Sequence, residues 1–199
     1  LKPISRAAHA TAKARTFYFK NHLGDDLAGK RVGIVFGDSD IGNFVRVFQF
    51  LGCSVSATNT LTAPPPALQF GLTTYHTLEK LWDSSDVVIF IDDMGEGLSL
   101  DPLLSRPTMP EYLIVRTEDV RYDSELMRKR ILEGKLKGFA ADFIPDMFVN
   151  KGYLEDLQQS LHPIVNLPNV LFTPEMGTFS NDSLQRSYDY TFRLLMELP

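Results

Sequence analysis

The sequence predicts one doubly wound α/β domain with a mainly parallel sheet. Three observations carry this. Short apolar runs suited to strands buried on both faces alternate with helical segments along the whole chain. One strand–turn–helix–strand unit, Lys30 to Asn59, has the layout that opens such a domain. The 199 residues show no internal repeat and no low-complexity stretch.

In order, residues 1–22 read as a helix, with Pro3 in its first turn. Ile4, Ala7, Ala8, Ala14, Phe17 and Tyr18 form a face of small and apolar residues. This helix packs either on its own domain or on a second subunit. Val32–Phe36 is the first buried strand, followed by a tight turn from Gly37 to Gly42. Phe44, Val45, Phe48 and Leu51 fall at helical spacing, with Gly52 as the stop, and Cys53–Asn59 is the second strand. Thr60–Ala67 is a proline-rich loop. A short helix over Thr77–Trp82 leads to a strand over Asp86–Ile91 and a loop over Asp92–Gly97. Helical signal returns over Leu98–Leu104. Tyr112–Val115 is a strand, and Ser124–Glu133 is a helix stopped by Gly134. Lys137–Asp142, a loop, a helix over Leu154–Leu161, a strand over Asn169–Phe172 and a final helix over 180–197 complete the alternation.

The first turn is an altered dinucleotide fingerprint, which makes the domain Rossmann-like. The pattern G-x-G-x-x-G needs its middle glycine so that backbone can approach a pyrophosphate. Here Gly37-x-Ser39-x-x-Gly42 keeps the outer glycines and places Ser39 in the middle. Asp38 and Asp40 add carboxylates where a helix N-terminus otherwise attracts an anion. Asn59 ends the second strand, where an acid usually holds the ribose hydroxyls. The expectation is a vestigial pocket at Gly37, Ser39, Gly42 and Asn59, with no cofactor bound. The plainer alternative is a turn that only joins strand to helix.

Composition excludes several classes. Hydrophobic residues make up 44%, enough for a packed core, and the net charge is −5. That balance, with a pI near 5.4, gives no bulk attraction to nucleic acid. No apolar run approaches the ~20 residues of a membrane span. The single cysteine, Cys53, rules out an intrachain disulfide framework and suits a reducing compartment, cytoplasmic or nuclear. His9, His22, His76 and His162 lack zinc-ligand spacing, so no metal is expected. Asp92, Asp93, Glu96, Glu118, Asp119 and Glu175 would line the carboxyl edge of the sheet. They read as a solvated acidic rim, with a cation or small-molecule site as the alternative. The chain opens at Leu1 and not Met, which reads as a piece of a longer protein.

Four stretches in register resemble the nucleotide-binding domain of the D-isomer-specific 2-hydroxyacid dehydrogenases. Asp25–Val35 is similar to that domain's opening and Thr77–Val88 to the segment before its third strand. Gly134–Asp142 resembles the family's glycine-lysine-leucine run ending in aspartate, and His162–Pro174 its histidine-proline to threonine-proline run. The order and spacing hold over residues 1–199. At the turn, a gapless alignment puts Phe36, Asp38 and Ile41 at the glycine positions, and a one-residue shift recovers Gly37, Ser39 and Gly42. The family's substrate domain has no counterpart here.

The resemblance also locates three catalytic positions. Counting back from Gly134, the substrate-clamping arginine falls at Glu118; Arg116 and Arg121 are near but differently placed. The glutamate five residues past the aspartate falls at Met147, and the histidine after threonine-proline falls at Glu175. An acid at 118 repels a substrate carboxylate, and a carboxylate at 175 faces no oriented partner at Met147. The resemblance thus implies a degenerate domain: a pseudoenzyme acting as a homodimerising scaffold and protein-interaction module, with residues 1–22 at the dimer interface. Corepressors of the C-terminal-binding type supply the analogy. Its expected partners are a second copy and other proteins, with no direct nucleic acid and no membrane. The alternative is an NAD(H)-binding sensor, or a dehydrogenase fragment missing its substrate domain.

Overall fold

The computed structural model describes residues 25–37, 41–59, 72–74, 77–91, 97–117, 119–142, 163–173 and 181–196. The helices read over 1–22 and Leu154–Leu161 and the Thr60–Ala67 loop lie outside the described residues. The elements are β1 (Arg31–Phe36), α1 (Gly42–Phe50), β2 (Ser54–Asn59), β3 (Thr73–Thr74), α2 (Leu78–Ser84) and β4 (Val87–Phe90). Then come β5 (Leu98–Ser99), α3 (Asp101–Leu104), β6 (Tyr112–Val115), β7 (Val120–Arg121) and α4 (Ser124–Leu132). β8 (Gly138–Ala141), a 3₁₀ turn (Pro163–Asn166), β9 (Val170–Phe172) and α5 (Asn181–Met196) follow.

The main sheet has seven strands in the order β3-β2-β1-β4-β6-β8-β9, and every pairing is parallel. Strand order reverses at β1, which lies between β2 and β4. Two apolar clusters sandwich the sheet. Val32, Ile34, Phe36, Val87, Ile89 and Ile91 pack toward α1 through Ile41 and Val45. Val35, Val88, Phe90, Leu113, Val115 and Phe139 pack the other way, against Leu81 and Trp82 of α2 and Met127 and Ile131 of α4. Successive side chains along β1 and β4 thus enter opposite clusters, which is why their apolar runs are unbroken.

Helix ends follow the residues that stop them. Gly52 (φ 81°) and Gly134 (φ 71°) take left-handed backbone just past α1 and α4. After α1, Cys53 N donates to Phe48 O and Gly52 N to Gln49 O, closing the free carbonyls. The Asp123 side chain caps α4 by accepting from Glu125 N and Leu126 N. The helical signal over Leu98–Leu104 is only partly realised. Leu98 N and Leu100 N donate to Asp119 O and Arg121 O, so β5 pairs with β7 and only Asp101–Leu104 coils. The two-residue strands β3, β5 and β7 are additions to the six strands read from sequence.

The amino-terminal edge of the sheet carries an ion-pair clasp. Arg31 Nη2 lies 2.6 Å from Asp86 Oδ1, and Arg31 Nε and backbone N both donate to Asp86 Oδ2. Lys137 bridges Glu111 and Asp25, and the Tyr112 hydroxyl donates to Asp25. The Arg31 guanidinium holds the Asp86 carboxyl down at about 2, against an ordinary 3.8. Glu111 is lowered by Lys137 and then Lys30, and Asp25 by the Tyr112 hydroxyl and then Lys137. Burial, then the Asp25 carboxylate, pushes Tyr112 up to about 12. A carboxyl lowered on folding stabilises above its unfolded pKa and loses that contribution as pH falls through the folded one. Stability is therefore expected to hold from pH 7 to about 5 and to decline toward pH 2. With Arg31 largely in solvent, the Asp86 share is about 1 kcal/mol. Urea unfolding at pH 7 and pH 3 checks this: Asp86→Asn should be the less stable protein at pH 7 and show the smaller loss on acidification.

Candidate functional site at the carboxyl edge of the sheet

The strand order reverses at β1, and the carboxyl ends of β1 and β4 mark the place where open α/β sheets have the crevice that takes ligands. β1 runs into Gly37, which is buried. Beside it, β2 ends at Asn59, paired with Phe36 in register. Asn59 Nδ2 donates to Gly37 O at 2.8 Å. This side-chain bond ties the end of β2 to the first residue of the turn. Gly42, also buried, opens α1. The helix has no side-chain cap at Ile41 and no acidic residue in its first turn. Its partial positive end therefore faces the crevice without a carboxylate from its own first turn. Of the predicted pocket residues, the structure brings Gly37, Gly42 and Asn59 to this crevice. Ser39, with Asp38 and Asp40, lies outside the described residues.

The far half of the edge is set by register. Phe90, Val115, Ala141 and Phe172 lie in one row across β4, β6, β8 and β9. The residues that follow them, Arg116, Asp142 and Thr173, share that edge. Arg116 N donates to Phe90 O, Asp142 N to Val115 O and Thr173 N to Ala141 O. Asp142 is buried and accepts from the Thr173 hydroxyl, so this buried polar side chain is hydrogen-bonded. Sequence reading used Asp142 and Thr173 only as alignment anchors and missed their bond. An aspartate directly after one strand and a threonine directly after the next were the available signal. Asp119 accepts from the Thr117 hydroxyl at 2.9 Å and its own N–H donates back to that oxygen, so this member of the acidic rim closes a local turn. The other rim residues, Asp92, Asp93, Glu96, Glu118 and Glu175, lie outside the described residues, as does Met147. Among the described residues, no group of three or more His, Cys, Asp or Glu is placed to hold a metal ion. No helix among them is long and apolar enough to cross a membrane.

The family model for the D-isomer specific 2-hydroxyacid dehydrogenase NAD binding domain matches residues 1–177. No curated protein sequence matches the chain. Solved structures share the fold. D-2-hydroxyisocaproate dehydrogenase superposes with a TM-score of 0.74 at 18% identity, over 99% of this chain and 61% of that one. A D-lactate dehydrogenase from Treponema pallidum gives 0.72 at 20% identity, over 100% and 63%. The NAD-complexed D-isomer specific 2-hydroxyacid dehydrogenase from Lactobacillus delbrueckii ssp. bulgaricus gives 0.68 at 17% identity, over 100% and 63%. This chain thus spans about three-fifths of the length of these enzymes. The family match and the parallel sheet reversing at β1 agree: the chain belongs to the D-isomer specific 2-hydroxyacid dehydrogenase family, as its NAD-binding domain.

Proposed function

We propose that this domain is catalytically silent and acts as a homodimerising scaffold and protein-interaction module. The observation that carries the reading is the set of residues at the family's three catalytic positions: Glu118, Met147 and Glu175. Clamping a 2-oxo or 2-hydroxy acid needs a cation facing its carboxylate, and Glu118 supplies the opposite charge. Moving the proton needs an oriented acid–base pair, worth roughly 10²–10⁴-fold in rate. Glu175, with methionine at the position of the family's glutamate, makes no such pair.

A second reading, an NAD(H)-binding sensor or a dehydrogenase fragment, is favoured by two features of this edge. Asn59 braces Gly37, and α1 begins at a buried Gly42 with no acid in its first turn. Both features suit a dinucleotide, with Gly37 and Gly42 near its pyrophosphate and Asn59 near its ribose. One experiment separates the two. NADH oxidation is followed at 340 nm with a panel of 2-oxo acids, and NADH is titrated by calorimetry. Neither turnover nor binding is expected. Micromolar binding without turnover would favour the sensor, and turnover lost on changing Glu118 or Glu175 would overturn the scaffold.

A further inference from the structure

The segment Asp25–Lys30, which leads into β1, is fastened at both ends to distant parts of the chain. At its carboxyl end, Gly29 N donates to Gly52 O at 2.8 Å and Ser54 N to Lys30 O at 3.0 Å. At its amino end, the Asp25 carboxylate accepts from the Tyr112 hydroxyl at 2.7 Å and from Lys137 Nζ at 3.2 Å. Tyr112 begins β6, and Lys137 immediately precedes β8. The segment is thus a strap along the amino-terminal edge of the sheet, from β6 and β8 to the turn between α1 and β2.

Between its fastenings the strap lies against Gly52 and Cys53. Lys30 N donates to Leu27 O at 3.0 Å and closes a turn. The Cys53 thiol donates to the same carbonyl at 3.2 Å. A methyl group placed on Gly52 would lie 3.4 Å from Ala28 Cβ, so Ala28 sits over that glycine. Cys53 is 8% exposed, and burial pushes its thiol up from the ordinary value. A buried, protonated thiol is a poor nucleophile.

Asp25 is the fastening that can let go by itself. Its pair with Lys137 is half exposed, where ion pairs contribute little. Release also strands no cation. Lys137 keeps Glu111 at 2.8 Å, and Glu111 keeps Lys30 at 2.5 Å. We propose that Asp25 latches this strap over Cys53, and that releasing Asp25 lifts the strap and opens the thiol to solvent while the sheet stays folded. The device is independent of the scaffold reading. It is a local opening, of the kind that edge segments undergo well below the free energy of global unfolding. The thiol reports the position of the strap: closed, it donates to Leu27 O; open, it ionises and reacts.

The test alkylates the full chain with iodoacetamide at constant pH and follows the mass. Cys53 is the sole cysteine, so the adduct reports that residue. The unmodified chain should react far more slowly than a free thiol. Its rate should stay nearly flat in low urea, because a local opening exposes little surface. Asp25→Asn keeps the shape and removes the charge. It should raise the rate roughly threefold to tenfold, the range for bonds to a charged group at a partly exposed site. Tyr112→Phe should act in the same direction. Asp86→Asn, on the same edge but bonded to Arg31, should leave the rate unchanged. A chain that reacts like a free thiol would show that the strap does not cover Cys53. Equal rates for the unmodified chain and Asp25→Asn would show that Asp25 is not the latch. A rate that climbs steeply with urea, or an equal rise in Asp86→Asn, would assign the exposure to general loosening. Each of these results overturns the proposal.

Discussion

Replacing Trp82 with alanine is expected to lower the unfolding free energy by roughly 3–5 kcal/mol, within the range for large buried aromatics cut to a methyl group. Trp82 is the largest fully buried side chain and sits in the cluster between α2, α4 and the sheet. Its neighbours there, Leu81, Leu104 and Leu136, are fully buried too, so little can collapse into the space left behind. A second cost adds to the cavity. The indole Nε1 donates to Thr108 O at 3.1 Å, and that bond is lost with the ring. Trp82→Phe keeps much of the volume and loses the donor, so about 1–2 kcal/mol is expected there. Trp82 is the sole tryptophan, so urea unfolding is followed by far-UV circular dichroism. A loss under 1 kcal/mol for the alanine variant would contradict the packing described. Small domains hold only about 5–15 kcal/mol in all, so this one change places folding near its limit.

The sheet was legible because its residues obey simple periods. Val32, Ile34 and Phe36 enter one cluster and Val35 the other, as an unbroken apolar run requires. Gly52 and Gly134 stop their helices by positive φ, which other residues rarely adopt. The short strands were not legible. β3, β5 and β7 have two residues each, and such a pairing is fixed by what lies beside it, not by a pattern of its own. Leu98–Leu104 has helical spacing, yet its first residues bond to Asp119 and Arg121, which only the folded chain brings near.

At the crevice, the places of Gly37, Gly42 and Asn59 followed from the strand–turn–helix–strand order. The use of Asn59 did not. Its strand-end position points to a ribose, while the structure directs its amide to Gly37 O. A side-chain bond across 22 residues depends on how closely two strand ends approach, and sequence spacing does not contain that distance. The buried Asp142–Thr173 pair was hidden for the same reason. Its partners are brought together only by the β8–β9 register.

Gly33 shows how strongly the strand bearing this crevice is held. Substituting valine is expected to prevent folding or to destabilise by more than the ~1–3 kcal/mol usual for an overpacked core. Gly33 lies in the middle of β1, on the face toward α2, and glycine is ordinarily unfavourable in a strand. Its presence follows from the space above it. A Cβ there would sit 2.5 Å from Leu81 Cδ2 and from Ser85 Oγ, and 2.9 Å from Leu81 Cγ. Neither neighbour has room to yield. Leu81 is fully buried, and the Ser85 hydroxyl donates to Leu81 O at 2.7 Å. Moving α2 away would also pull Trp82 from its carbonyl. On the strand side, β1 is locked by parallel pairing to β2 and β4. Alanine adds the single methyl group that already clashes, so Gly33→Ala should cost about 1–3 kcal/mol. Valine adds two further methyl groups in the same wedge. The ordering Gly33, then Ala, then Val in urea midpoint tests the contact. Equal midpoints for glycine and alanine would mean that α2 does not press on β1. The double variant Gly33→Ala with Leu81→Ala separates clash from strand propensity. If the clash dominates, truncating Leu81 should cost less in the Gly33→Ala background than in the unmodified chain.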